Sequence, residues 1–338
     1  MQKLILFLAF LLIAYSSFGQ TKQEQIHELV KEGTRLHDGR LYQKALKKYQ
    51  EALAIDKKST LANYEIAMTY SEMGEHDTAI KHANKVIKQK KDHMVAAYTV
   101  KGNSFDVQGK TKKSIKLFKK ALSETKGHYL LHYNLGINYF KQGDILDAST
   151  QMIEAIKKNP SHASSHLYLA LSQKRLNNVI PSILSNMYFL LLEPATERAG
   201  NAYDLLENSL DGNVTEDKNN PNNSILMLNG NEDNPYQSVE MMIGLMATAK
   251  TMDEAKSSSE EELFIENLRS LLNTLVNLEI AEKSIFTDFY TPFYADLLES
   301  DHFDTFCYYI MHGSNQPSAD WCDNHPEELK ALFKWLNK

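Results

Sequence analysis

The sequence predicts an all-α protein, built as about five stacked helix pairs followed by a second helical domain. Three observations predict it. Glycine and proline are scarce, 14 and 8 in 338 residues, which leaves too few turn residues for a sandwich or barrel of many short strands. The sequence matches itself at a spacing of 34 or 35 residues, as an array of two-helix units does. The segments beyond the array carry apolar residues at helical rather than alternating spacing. With 43% hydrophobic and 24% charged residues, the chain is neither disordered nor a multi-span membrane protein.

The first element is not part of the fold. Lys3, the apolar run Leu4 to Tyr15 and the small residues Ser17 and Gly19 have the order of a secretory signal peptide, too short to span a bilayer as a helix. Residues 1–19 are read as this leader, with cleavage between Gly19 and Gln20. A retained single-span anchor is the alternative. No cysteine stands near the cleavage point, so a lipid anchor on a thiol is not expected.

The array follows over residues 20–196, with repeats near 26–59, 60–93, 95–128, 129–162 and 163–196. Position eight of each repeat is Gly33, Ala67, Gly102, Gly136 or Ala170, and position twenty is Ala45, Ala79, Ser114, Ala148 or Ser182. Two antiparallel helices approach closely only where neither carries bulk at the crossing, so these small residues mark the contact between paired helices. Larger fillers surround it: Leu36, Tyr70, Phe105 and Tyr139 at position eleven, and Tyr49, Phe118 and Met152 at position twenty-four. Gly74, Gly109, Gly143 and Asn177 stand between the helices, where a left-handed residue ends the first one. Pro160 and Pro194 follow second helices, which they cannot continue.

These residues resemble the tetratricopeptide repeat (TPR), and the fourth copy follows its pattern in Leu135-Gly136, Tyr139, Gly143, Ala148, Ala155 and Pro160. The resemblance covers Ile26 to about Thr196 and implies a TPR α-solenoid whose first helices line a concave, peptide-binding groove. Carried over by position, the groove comprises Tyr64, Met68, Asn103, Asp106, Tyr133, Ile137, Phe140, Lys141, Leu167, Leu171, Lys174 and Arg175. In repeats four and five this lining turns aromatic and aliphatic and ends in the Lys174-Arg175 pair. Such a trough suits a peptide with a carboxylate or acidic side chain near one end. The alternative is that the C-terminal half covers the apolar residues. The carboxylate clamp of some chaperone-binding relatives is not matched: Asn134 fits, but Ser164 and Tyr168 stand where cations are needed.

His128 and His132, like His162 and His166, are four apart, a metal-binding separation on a helix. His128 and His162 fall in turns and no thiol or carboxylate keeps step with them, so packing and turn histidines are expected, with no metal and no cofactor. Charge is uneven. Residues 21–160 hold 25 Lys and Arg against 16 Asp and Glu, whereas residues 161–338 hold 11 against 27. The lysines read as a solvated outer face. No aromatic residues interleave them as a nucleic-acid platform requires.

The fifth repeat's second helix, Pro181 to Leu192, is apolar on more than one face and needs a cover. Residues 197–235 are read as a capping helix, carrying Ala202, Leu205, Leu206 and Leu210, and an Asn-rich loop. Residues 236–338 are read as an acidic α-helical domain with helices near Val239–Thr251, Glu260–Leu278, Phe286–Glu299 and Glu327–Leu336. Its aromatic residues, from Phe286 to Tyr309, are expected to form a core around the Cys307 segment. In an oxidising compartment, Cys307 and Cys322 read as one disulfide, worth roughly 3 kcal/mol for a loop of about 15 residues. Two buried thiols are the alternative.

No HExxH, GxSxG, GxGxxG or P-loop motif occurs. The expected function is an exported scaffold, periplasmic first, with secreted or envelope-associated as the alternatives, that binds a protein or peptide partner, without nucleic acid, a stable membrane span or catalysis. The alternatives are an enzyme centred in residues 236–338, using a cysteine with His302 or His325, and a structural subunit of a cell-envelope assembly.

Overall fold

The computed structural model describes residues 22–211, 214–217, 220–226, 234–249 and 258–337. The leader assigned to residues 1–19 lies outside them. A first helix, α1, runs over residues 22–38, followed by α2 (Tyr42–Ile55), α3 (Thr60–Glu72), α4 (His76–Ile87), α5 (Met94–Val107), α6 (Thr111–Glu124) and α7 (Tyr129–Gln142). Next come α8 (Ile145–Lys158), α9 (Ala163–Arg175), α10 (Val179–Leu192) and α11 (Glu197–Leu210). The chain divides into two compact units between Gln142 and Gly143. The first holds α1 to α7; the second begins at α8.

All ten small crossing residues are buried. Their size is required by what faces them. A Cβ on Gly102 would lie 2.1 Å from Phe118 Cζ, and one on Gly33 would lie 2.4 Å from Tyr49 Cε1, so glycine at position eight makes room for the ring at position twenty-four. Serine at position twenty adds a hydrogen bond: Ser114 Oγ donates to the Gly102 carbonyl and Ser182 Oγ to that of Ala170, both at 2.9 Å. The first helices end as expected, with Gly74, Gly109, Gly143 and Asn177 at positive φ, and Arg40 holds the same place in repeat one.

Consecutive repeats are tied by polar contacts spaced about one repeat apart: His37 to Thr69 (2.9 Å), Gln108 to Asp77 (3.0 Å) and Lys141 to Asp106 (2.5 Å) in the first unit. In the second unit Arg198 Nη1 donates to Ser164 Oγ at 2.8 Å and Lys174 Nζ to Ser209 Oγ at 3.4 Å. These last two contacts join α9 to α11 in the same spacing, so α11 is seated as the first helix of a sixth unit would be. Thr196 caps it, its hydroxyl accepting from the Ala199 N–H.

The Asn-rich segment contains an antiparallel hairpin, β1 (Val214–Asp217) with β2 (Asn220–Leu226), where the sequence reads as loop. Asn and Pro weaken a strand signal, yet β2 ends in Ser-Ile-Leu, which suits one. Beyond it lie α12 (Gln237–Ala249), α13 (Glu260–Val276), a π-helical turn (Phe286–Tyr290) leading into α14 (Thr291–Glu299), α15 (Phe303–Met311), α16 (Gln316–Asn324) and α17 (Pro326–Leu336). Ser259 and Glu262 form a capping box on α13.

Helix α10 is buried all round, from Ile180 to Leu191 with only Tyr188 partly exposed. It packs against α9, α11, α12, α15 and the π-helical turn. Two tyrosines key that turn and α14 onto the repeats: Tyr294 Oη donates to the Leu184 carbonyl at 2.8 Å, and Tyr290 Oη lies 2.6 Å from His166 Nδ1. The aromatic residues reach beyond a core around Cys307: Tyr290 and Tyr294 bond to repeat five, while Phe293 stands edge-on to Tyr294 at 5.0 Å and Tyr294 meets Phe306, next to the buried Cys307, at 6.3 Å. Tyr308 stacks on Trp321 at 4.2 Å.

The expected disulfide is absent: Cys307 and Cys322 are both buried, free thiols. Burial pushes both thiols up from their ordinary value.

Candidate functional site

The residues assigned to the groove occupy first helices, and the structure places them as follows. In the first unit, α3 packs on α5 and α5 on α7, which aligns Tyr64 and Met68 with Asn103 and Asp106 and with Tyr133, Ile137, Phe140 and Lys141. Asn103 and Lys141 are exposed, and the others are partly so. Tyr64 stacks on His93 at 5.8 Å, and burial pushes its phenol up from the ordinary value. Asp106 is engaged from two sides, by Lys141 Nζ at 2.5 Å and by the Thr111 hydroxyl at 2.9 Å. The acidic charge of this face is thereby neutralised inside the protein. Tyr133, Ile137 and Phe140 keep partial exposure at the i, i+4, i+7 spacing of one α7 stripe.

In the second unit Leu167 is buried, Leu171 half-buried, and Lys174 and Arg175 exposed. The cations lie in the last turn of α9, where the helix dipole favours them. Sequence reasoning missed Arg198. It reaches the hydroxyl of Ser164, pairs with Glu193, and lies 5.3 Å from the Phe189 ring centroid. A cation from α11 therefore covers the place where the repeat itself offers serine. Asn134 spends its amide on its own helix, donating to the Leu130 carbonyl at 2.7 Å.

His128, His162 and His166 are packing and turn residues. His128 Nδ1 accepts from the Leu130 N–H at 3.3 Å, and His162 Nδ1 is 2.8 Å from Ser165 Oγ. His166 Nε2 lies 2.8 Å from the Pro160 carbonyl. A carbonyl only accepts, so Nε2 carries the proton and Nδ1 accepts from Tyr290. Both ring nitrogens are occupied, and burial lowers this histidine's pKa to about 4. Among the described residues no group of His, Cys, Asp and Glu is arranged for a metal, and no helix is long and apolar enough to cross a membrane.

Two tetratricopeptide repeat family models match the chain, one over residues 61–93 and one over residues 133–179. These two stretches of the chain are tetratricopeptide repeats. Among solved structures, TTC0263, a thermophilic TPR protein of Thermus thermophilus, is similar at 15% identity and a TM-score of 0.44, covering 55% of this chain and 98% of its own. PilF of Pseudomonas aeruginosa is similar at 15% identity and 0.46, covering 56% and 90%. MamA of Desulfovibrio magneticus RS-1 is similar at 16% identity and 0.41, covering 50% and 95%. No curated protein matches the chain. TPR arrays are scaffolds for protein–protein interaction, and TPR architecture brings no catalytic group of its own.

Proposed function

We propose that this TPR protein is an exported, non-catalytic scaffold that binds a peptide segment of a partner protein along its first helices. The observation that carries this reading is the α7 stripe, where Tyr133, Ile137 and Phe140 keep partial exposure beside the 58% exposed Lys141 side chain. Aromatic and aliphatic side chains so spaced suit an extended or helical peptide. Export rests on the order of residues 1–20. Burial argues against the enzymatic alternative. It raises the Cys307 thiol well above its ordinary value and the Cys322 thiol to about 11, so both are protonated and poorly nucleophilic at neutral pH.

The test is affinity capture from envelope extract with wild type and with Tyr133→Ala/Phe140→Ala. A protein retained by the first and lost by the second supports the groove; equal retention refutes it. Gel filtration separates the scaffold from a permanent envelope subunit, since a scaffold runs alone.

A further inference from the structure

A cleft of about 650 Å³ in the second unit has no role in the groove reading. It opens between α8, the α9–α10 turn and the segments around Asn234 and Glu282. Its floor is a directed chain of polar groups that runs from the exposed Asn178 to two buried side chains. Asn178 Nδ2 donates to Gln173 Oε1 at 2.7 Å, and Gln173 Nε2 donates to Ser149 Oγ at 2.7 Å. Gln173 and Ser149 are 4% and 3% exposed.

This chain leaves donors over. The Ser149 hydroxyl proton and one amide N–H of Gln173 have no acceptor among the described residues, and the exposed Asn178 offers a further N–H at the rim. Buried donors without acceptors cost free energy, and a ligand that supplies carbonyl oxygens relieves that cost. Tyr236 and Phe286 line the apolar side of the cleft. Glu282 stands exposed at its edge, and no Lys, Arg or His lines it. The requirement is thus for a ligand with acceptors along its length and a positive charge to one side.

We infer that this cleft is a second recognition site, which takes an extended peptide segment carrying a lysine or arginine. Peptide carbonyls meet the Ser149–Gln173–Asn178 donors, and the basic side chain pairs with Glu282. The acidic excess of residues 161–338, 27 Asp and Glu against 11 Lys and Arg, draws such a segment toward this half of the chain and makes binding weaken with salt. The site shares no residue with the proposed groove and stands or falls separately from it.

A phage-displayed random dodecapeptide library is selected on the purified protein, and each enriched peptide is then titrated by fluorescence polarisation. Titrations use wild type, Glu282→Lys, Ser149→Ala and Tyr133→Ala/Phe140→Ala. The cleft predicts a class of peptides with Lys or Arg whose affinity falls at least tenfold in Glu282→Lys and severalfold in Ser149→Ala, but is unchanged in Tyr133→Ala/Phe140→Ala. Glu282 is exposed, so its reversal leaves the melting curve in place. The inference is overturned if no enriched class carries a basic residue, or if basic peptides bind Glu282→Lys as tightly as wild type. Loss confined to Tyr133→Ala/Phe140→Ala also overturns it, while supporting the groove.

Discussion

Gly313, in the turn after α15, holds the helical domain against the end of the repeats by having no side chain. A Cβ there would lie 1.9 Å from the Pro194 carbonyl oxygen and 2.9 Å from both the Pro194 carbonyl carbon and the Ala195 Cα. Carbon and oxygen in contact normally stand about 3.3 Å apart or more, so Gly313→Ala forces the two backbones apart by about 1.4 Å. Neither has a rotamer to yield. Gly102→Ala meets a milder obstacle, the Phe118 ring at 2.1 Å, and gains about 1 kcal/mol of helix propensity against an overpacking cost of about 1–3 kcal/mol. Gly39 is the control: its Cβ would come no closer than 3.6 Å to the Arg35 and Leu36 carbonyl oxygens. We expect Gly313→Ala to lose about 3 kcal/mol or more, at the upper end of overpacking costs, Gly102→Ala about 1 kcal/mol, and Gly39→Ala nothing or a small gain. Urea unfolding followed by circular dichroism reads all three on one scale. Gly313→Ala within about 0.5 kcal/mol of wild type, the range of an ordinary surface change, would refute the close-approach argument. A stabilised Gly102→Ala would refute the pairing of small and aromatic positions.

Ser182→Ala should cost about 1 kcal/mol through its lost bond to Ala170, and Ser182→Leu about 1–3 kcal/mol by overpacking the same buried crossing, both read from urea midpoints. His166 is neutral in the fold, with a pKa of about 4, and titrates near 6.5 when unfolded. Its contribution is therefore complete above about pH 6.5 and is lost as pH falls toward 4, on the order of 3 kcal/mol in total. His166→Gln should flatten the pH dependence of stability in that window, and an unchanged slope would remove His166 as its source. Iodoacetamide at pH 7.5 should leave native Cys307 and Cys322 unmodified and add two labels in denaturant, by mass spectrometry; native labelling of either would revive the enzymatic reading, and no labelling in denaturant would restore the disulfide.

What the sequence by itself determined is what repeats. The small residues at positions eight and twenty, the turn residues Gly74, Gly109, Gly143 and Asn177, and the over-apolar α10 were legible because each repeat states the same local geometry again. Helix spacing likewise placed α12, α13, α14 and α17, although α15 and α16, of nine residues each, are too short for periodicity to announce. The groove residues could be assigned to first helices by position alone. That Asp106 spends its charge on Lys141 is not in the pattern.

Only the tertiary structure decided what joins non-repeating parts. Arg198 covers Ser164 from 34 residues away, His166 meets Tyr290 across 124, and Gly313 lies against Pro194. The same holds for the burial of the two cysteines as free thiols and for the donors gathered by Ser149, Gln173 and Asn178. Periodicity encodes which face of a helix is buried. It does not encode which distant side chain arrives there, because that depends on packing between segments that share no common spacing.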